Sequence, residues 1–155
     1  MSENRPQLAK TEAALPGARF LVIASQFNGE IVAELKAGAI ERLKLAGVTI
    51  EEIEVPGALE IPVAAAIKLD HGKYDGVIAL GCVIRGETEH FEIVAHQSSR
   101  ALMDFAVSRK IALGNGILTV DTEAQAWTRA KRAEGNVGGH AAAAALVLAR
   151  IARKV

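Results

Sequence analysis

Cysteine occurs once in this sequence, at Cys82, so no internal disulfide can staple the fold. A reduced, cytoplasmic setting is the simplest reading. Aromatic residues make up only 4% of a chain that is 50% hydrophobic, so the core must be built from Ala, Val, Ile and Leu, and helices can pack closely on a sheet. Neither sign of charge is in excess. Lys plus Arg and Asp plus Glu stand at 18 each, which removes the electrostatic case for nonspecific binding to nucleic acid or an anionic membrane. Small anionic substrates remain compatible, because a site needs only local charge. Residues 1–15 are polar and lack the apolar core of a secretory signal. The most apolar C-terminal stretch, Ala141 to Ala149, is followed by Arg150, Arg153 and Lys154 and is too short to span a bilayer. With 155 residues and no internal repeat or linker, the chain reads as one domain able to bury about 70% of its unfolded surface.

What is present is an alternation of apolar runs and helical periodicity. Residues 1–16, with Pro6, Pro16 and scattered charge, read as an arm preceding a single domain over 17–155. Arg19 to Ser25 is a continuous apolar strand, and Gly29 to Ala46 has helical spacing with Gly47 at the position of a C-terminal cap. Val48 to Val55 predicts a second strand, stopped by Pro56-Gly57. A helix from Ala58 to about Leu69 follows, with Pro62 tolerated in its first turn. Gly76 to Val83 predicts the third strand and Thr88 to about Val107 its helix, with Thr88 as a candidate cap. The fourth strand is expected over Ile111 to Leu118, with Gly114-Asn115-Gly116 arguing for a bulge or a close ligand approach. Thr122-Glu123-Ala124-Gln125 has the form of a capping box, and a last alanine-rich helix follows Gly135-Asn136. This order predicts an α/β fold, a three-layer α/β/α sandwich around a four-stranded parallel sheet with helices on both faces.

Unusual residues fall at or beyond the carboxyl halves of these strands: Phe27-Asn28, Gly57 to Glu60, Val83 to His90, and Asn115. In open parallel sheets ligands bind along that edge. His90 is either an exposed histidine at a helix start or a proton-transfer group, and the positive end of the helix would favour its neutral ring. Phe27 is either core or a platform for a flat ring. Gly86, Glu87 and Thr88 place backbone donors and a hydroxyl where an anion could sit, and the same Thr88 serves an ordinary cap equally well. Arg129 is either a solvated helix residue or an anion ligand. Cys82, His71, His90, His96 and His140 show no zinc-ligand spacing, so no metal is expected.

Four segments together resemble the lumazine synthase family: Ser25-Gln26-Phe27-Asn28, Val55 to Pro62, Leu80-Gly81-Cys82-Val83-Ile84-Arg85-Gly86-Glu87-Thr88-Glu89-His90-Phe91, and Gly114 to Thr119 with Glu123 to Ala130. The resemblance spans roughly 18–150. It implies a flavodoxin-like sheet and condensation of 5-amino-6-(D-ribitylamino)uracil with 3,4-dihydroxy-2-butanone 4-phosphate, without metal or organic cofactor. His90 would then shuttle protons. Phe27, Ala58, Leu59, Glu60, Cys82, Val83, Ile84 and Asn115 would meet the pyrimidine and its ribityl chain, and Glu87, Thr88 and Arg129 the phosphate. The resemblance also implies a homopentamer at least, with sites between adjacent subunits and the arm joining a neighbour's sheet.

Three positions depart from the family pattern. Asn115 stands where an aromatic is usual, Val137 where a lysine is usual, and His140 where an acidic residue is usual. A diverged paralogue that binds ligand or builds a shell with little activity is therefore the alternative reading. A flavin-binding electron-transfer protein fits poorly, since Gln26-Phe27-Asn28-Gly29-Glu30 is not a hydroxyl-rich phosphate loop.

Overall fold

The computed structural model describes residues 14–154, so the arm expected over 1–16 lies outside the described residues for positions 1–13. Four parallel strands, β1 (Arg19–Ser25), β2 (Thr49–Val55), β3 (Gly76–Ile84) and β4 (Ala112–Val120), form one sheet in the order β2-β1-β3-β4. Five helices connect and cover it: α1 (Gly29–Leu45), α2 (Glu60–His71), α3 (His90–Arg109), α4 (Glu123–Ala130) and α5 (Val137–Arg153). Alternate residues of β1 and β3 feed two cores. Phe20, Val22, Ile78 and Leu80 pack with α1, α4 and α5, while Leu21, Ile23, Val77 and Ala79 pack with α2 and α3. The sandwich expected from the alternation of elements is therefore present, with helices on both faces.

Several boundaries move for local reasons. The second helix begins at Glu60 rather than Ala58, because Glu60 Oε1 accepts from the Gly57 N–H at 2.9 Å and holds 57–59 as a turn. The third begins at His90 rather than Thr88. Glu89 is its cap residue and contributes no side-chain bond, while Thr88 Oγ1 accepts from the His90 N–H at 3.3 Å. The capping box of α4 is as the sequence predicts, Thr122 accepting from the Gln125 N–H at 3.1 Å and Gln125 Oε1 from the Thr122 N–H at 3.3 Å. Gly47 takes φ 70, the left-handed conformation expected of it after α1.

Of the two expectations at Gly114-Asn115-Gly116, a bulge or a close ligand approach, the bulge does not occur. β3 and β4 stay in one register from Gly76 opposite Ala112 to Ile84 opposite Val120, with Asn115 opposite Ala79. Gly114 admits the backbone of α5 instead, and Gly116 makes room chiefly for the side chain of the neighbouring strand. A Cβ on Gly114 would collide with the Ala141 carbonyl oxygen, and one on Gly116 would lie 2.7 Å from Leu80 Cδ2. The same closeness recurs where α5 crosses α1, since a Cβ on Gly138 would strike the backbone at Leu35. A core poor in aromatics is packed by bringing backbones together.

At the opposite, amino-terminal end of the sheet, Glu51 ties β2 to its surroundings. Lys68, together with Tyr74 and Arg19, holds its carboxyl below the usual carboxylate range against the opposing effect of partial burial.

Gly114→Ala should destabilise the fold by about 1–3 kcal/mol, the range for overpacking a close contact. Gly86→Ala, with nothing within 4 Å of the added methyl, should stay within about 0.5 kcal/mol of the parent. Urea denaturation of both variants checks this, and equal midpoints would contradict it.

Candidate active site

β3 is longer than its neighbour β1 at the carboxyl end. The last rung between them pairs Ala24 with Leu80, whereas β3 continues beside β4 to Ile84. Backbone groups of a strand alternate sides, so this overhang presents some of its amides and carbonyls to space that β1 has vacated. Arg85 N–H points to β4, donating to the Val120 carbonyl at 2.9 Å, and the Cys82 carbonyl points the other way, accepting from Asn28 Nδ2 at 2.9 Å. Cys82 and, two residues on, Ile84 therefore turn their backbone groups toward the vacated side.

The strand order switches at this point, β1 having β2 on one side and β3 on the other, which is where open α/β sheets place ligands. A cavity of about 450 Å³ lies there. Phe27 and Asn28 line it from the end of β1, Gly57, Ala58, Leu59 and Glu60 from the loop after β2, and Cys82, Val83 and Ile84 from β3. His90 and Val94, one helical turn apart on α3, close it. Seven of the residues singled out in the sequence for the pyrimidine side thus meet around His90.

Local chemistry explains each placement. Asn28 has φ 56, a left-handed conformation that asparagine tolerates, and this turns the chain from β1 into α1 while its side chain reaches β3. Phe27 is 70% exposed, which excludes a core role. Its ring lies against Gly57, where an added Cβ would be 3.3 Å from Cδ2. The Gln26 and Phe27 N–H groups donate to the Val55 and Pro56 carbonyls, tying the β1 and β2 loops together. Glu60 has one oxygen on the Gly57 N–H, leaving the other to a ligand. Asn28 and Gly57, marked in the sequence only as parts of strand-end segments, and Val94, not marked there, complete the wall.

A second cavity, of about 580 Å³, lies on the other side of α3's first turns. Arg129 lines it from α4, Thr119 and Asp121 from the β4 end, and Arg85 from the β3 end. Arg85 is fully engaged. Its Nε donates to Asp121 Oδ1 at 2.8 Å, its Nη1 pairs with Glu92, and its guanidinium lies 4.4 Å from the Phe91 ring centroid. It clamps the start of α3 to the end of β4 and so fixes the segment carrying His90. Arg129 has a lighter engagement, Nη1 donating to the Gln125 carbonyl at 3.0 Å.

The phosphate-side residues are not brought together within one chain. Glu87 and Thr88 are exposed and line neither cavity, and Arg129 belongs to a cavity that His90 does not reach. Asn115 also lines neither. It sits in the middle of β4 rather than at the rim, its side chain accepting from the Ile117 N–H at 3.0 Å and donating to Ser99 Oγ at 3.4 Å. Val137 packs against the α1/α5 core and opens onto neither cavity. Among the described residues no group of three or more His, Cys, Asp or Glu side chains is placed to hold a metal ion, and no helix is long and apolar enough to cross a membrane.

Burial, reinforced by the Glu123 charge, pushes the Cys82 thiol up to about 11. At pH 8 roughly one molecule in a thousand would carry the thiolate. Cys82 should therefore resist a thiol-specific disulfide reagent at pH 8 in the folded protein and react stoichiometrically once denatured. Labelling of the folded protein within seconds would contradict this placement.

Residues 17–153 match the sequence model of the family described as 6,7-dimethyl-8-ribityllumazine synthase. The chain is 54% identical over 160 residues to a protein of that name from Rhodopseudomonas palustris strain BisA53, covering 100% of this chain and 98% of the relative. A relative of the same name from Nitrobacter winogradskyi is 50% identical with the same coverage. One from Methylobacterium radiotolerans is 59% identical over 136 residues, covering 88% of this chain and 83% of the relative.

Proposed function

The chain belongs to the 6,7-dimethyl-8-ribityllumazine synthase family, and we propose that it condenses 5-amino-6-(D-ribitylamino)uracil with 3,4-dihydroxy-2-butanone 4-phosphate in riboflavin biosynthesis. The observation that carries this reading is the family match along the whole described domain, with seven sequence-marked residues and His90 lining one cavity at the sheet's switch point.

In this reading Phe27 offers its exposed ring to the pyrimidine, Cys82 and Ile84 read the pyrimidine edge through their backbones, and Val83 packs beside them. Ala58, Leu59 and the unused oxygen of Glu60 hold the ribityl chain. An amino group of the pyrimidine adds to a butanone carbonyl and water leaves to give an imine. Loss of a carbon-bound proton then expels phosphate, and the second nitrogen closes the ring with loss of a second water. Each step moves a proton near neutral pH, and His90, on the cavity wall at the first position of α3, is the group suited to carry it.

The phosphate is held by the Glu87 and Thr88 segment of one chain and by Arg129 of the next. Two observations support a site shared in this way. His90 and Arg129 line separate cavities on different sides of α3. Apolar side chains also stand exposed on α2 and α3, among them Val63, Ile67, Ile93 and Val107, as a face covered by another copy requires. A homopentamer, in the cytoplasm, is the assembly we propose.

Mixing the purified protein with both substrates and following lumazine formation by absorbance tests the function, and no product would contradict it. His90→Ala should lower turnover by about 10²–10⁴-fold, or less where the uncatalysed condensation contributes, with assembly unchanged. Full turnover of that variant at saturating substrate would remove His90 from the mechanism.

A further inference from the structure

We propose that His96 is a specificity-determining residue of the Arg129 cavity, its protonated ring supplying the net positive charge that holds a phosphate-class dianion there. This rests on the reading above that Arg129 takes the phosphate.

The cavity wall is balanced in charge. Arg85, Arg129, Glu92 and Asp121 are its fixed charges, two of each sign, so with a neutral imidazole the wall carries no net charge. That is an unpromising place for a dianion. Both carboxylates are committed to Arg85 through the two ion pairs of the clamp, so Arg85 has little left to offer a ligand. Arg129 is the one guanidinium of the wall free of a carboxylate partner among the described residues, with a single bond to its own helix. One cation remains for a doubly charged ligand.

His96 is the other titratable residue on this wall. It is exposed, one turn beyond Glu92 on α3, and close enough that its charge adds to the dominant effect of Arg85 in holding the Glu92 carboxyl below the usual range. An imidazolium at this position would bring the balance of the wall from neutral to singly positive. Hydroxyls and an amide are at hand on the same wall, from Ser99, Thr119 and Gln125. They can donate to phosphate oxygens once the charge balance favours it.

No other group of the same chain on this wall takes over this role. β3 and β4 carry no charged side chain between Gly76 and Ile84 or between Ala112 and Val120. Arg100, one turn further along α3, pairs with Asp104 at 3.9 Å. From α2, Asp70 is held by Arg109 at the far end of α3. Within one chain the charges sharing the wall with His96 are thus Glu92 on its own helix, Arg85 and Asp121 from the strand ends, and Arg129 from α4; the shared site proposed above adds Glu87 and His90 of the neighbouring chain, and the His96→Asn variant below separates their effect from that of His96.

Sulfate is the probe that isolates the effect, because it stays a dianion from pH 6 to pH 8 whereas phosphate titrates itself. Calorimetric titration of the assembled protein with sulfate at pH 6 and pH 8, at one ionic strength, should give affinity roughly fivefold higher at pH 6, the scale of a partly exposed charge pair. His96→Asn should bind equally at both pH values, near the weaker level. His96→Lys, whose charge does not change in this interval, should bind near the tighter level at both. A parent without pH dependence, or a His96→Asn variant that keeps it, overturns the proposal. Arg129→Ala reads the premise separately: loss of sulfate binding at both pH values supports it, and unchanged binding overturns the phosphate reading even where the His96 variants behave as expected.

Discussion

The length difference between two neighbouring strands is the constraint on which the site depends. β1 stops pairing at Ala24, and β3 runs on to Ile84 with β4 alone beside it. A strand with one side unpaired must find partners for its outward backbone groups. Here Asn28 supplies one, and in supplying it turns the chain into α1 and leaves Phe27 standing at the cavity mouth. The remaining groups of Cys82 and Ile84 are left for a ligand that brings its own donors and acceptors, such as a pyrimidine edge. Lengthening β1 by two or three residues would close the cavity and satisfy the strand at the same time.

Charge completes what backbone geometry begins. The segment between β3 and α3 contains Gly86, which alone would leave His90 loosely placed. The Arg85 clamp to Glu92 and Asp121, with the Phe91 ring against it, fixes this segment from both ends. The clamp also consumes the acidic groups that would repel an anion nearby. Its geometry separates two environments along α3: His90 and Val94 face the cavity with Phe27 and Glu60, whereas Glu92, His96 and Ser99 face the one with Arg129. A substrate pair reacting at His90 with its phosphate on Arg129 calls for two copies of the chain.

Most of the fold was legible in the sequence because it rests on short-range signals. The apolar run Gly76 to Leu80, the capping box at Thr122 and Gly47 after α1 each have a local cause, and each stands where it was expected. Gly114-Asn115-Gly116 misled because glycine in a strand has two explanations with the same local appearance. Only the approach of Ala141 from α5, far along the chain, decides for close packing over a bulge. The start of α3 was misplaced by two residues because Thr88 looks like a cap, and its hydroxyl does accept from a helix N–H, but from one step further out. For the candidate site, the residues that one chain gathers around His90 stand at strand ends, where a local reading of the sequence looks for them. Glu87, Thr88 and Arg129 each offered an anion-binding reading beside an ordinary one, and only the resemblance joined them in one site, since nothing in their own chain gathers them.

In the proposed assembly one reactive centre is built from His90 of one chain and Arg129 of another. Co-assembly of His90→Ala chains with Arg129→Ala chains tests it most directly, with product formation measured before and after mixing under conditions that exchange subunits. Each variant alone has every site defective. In mixed rings, roughly a quarter of the junctions join an intact His90 to an intact Arg129, so activity should rise to about that fraction of the parent's. A mixture no more active than its components, with mixed rings demonstrated by mass, would contradict a shared site.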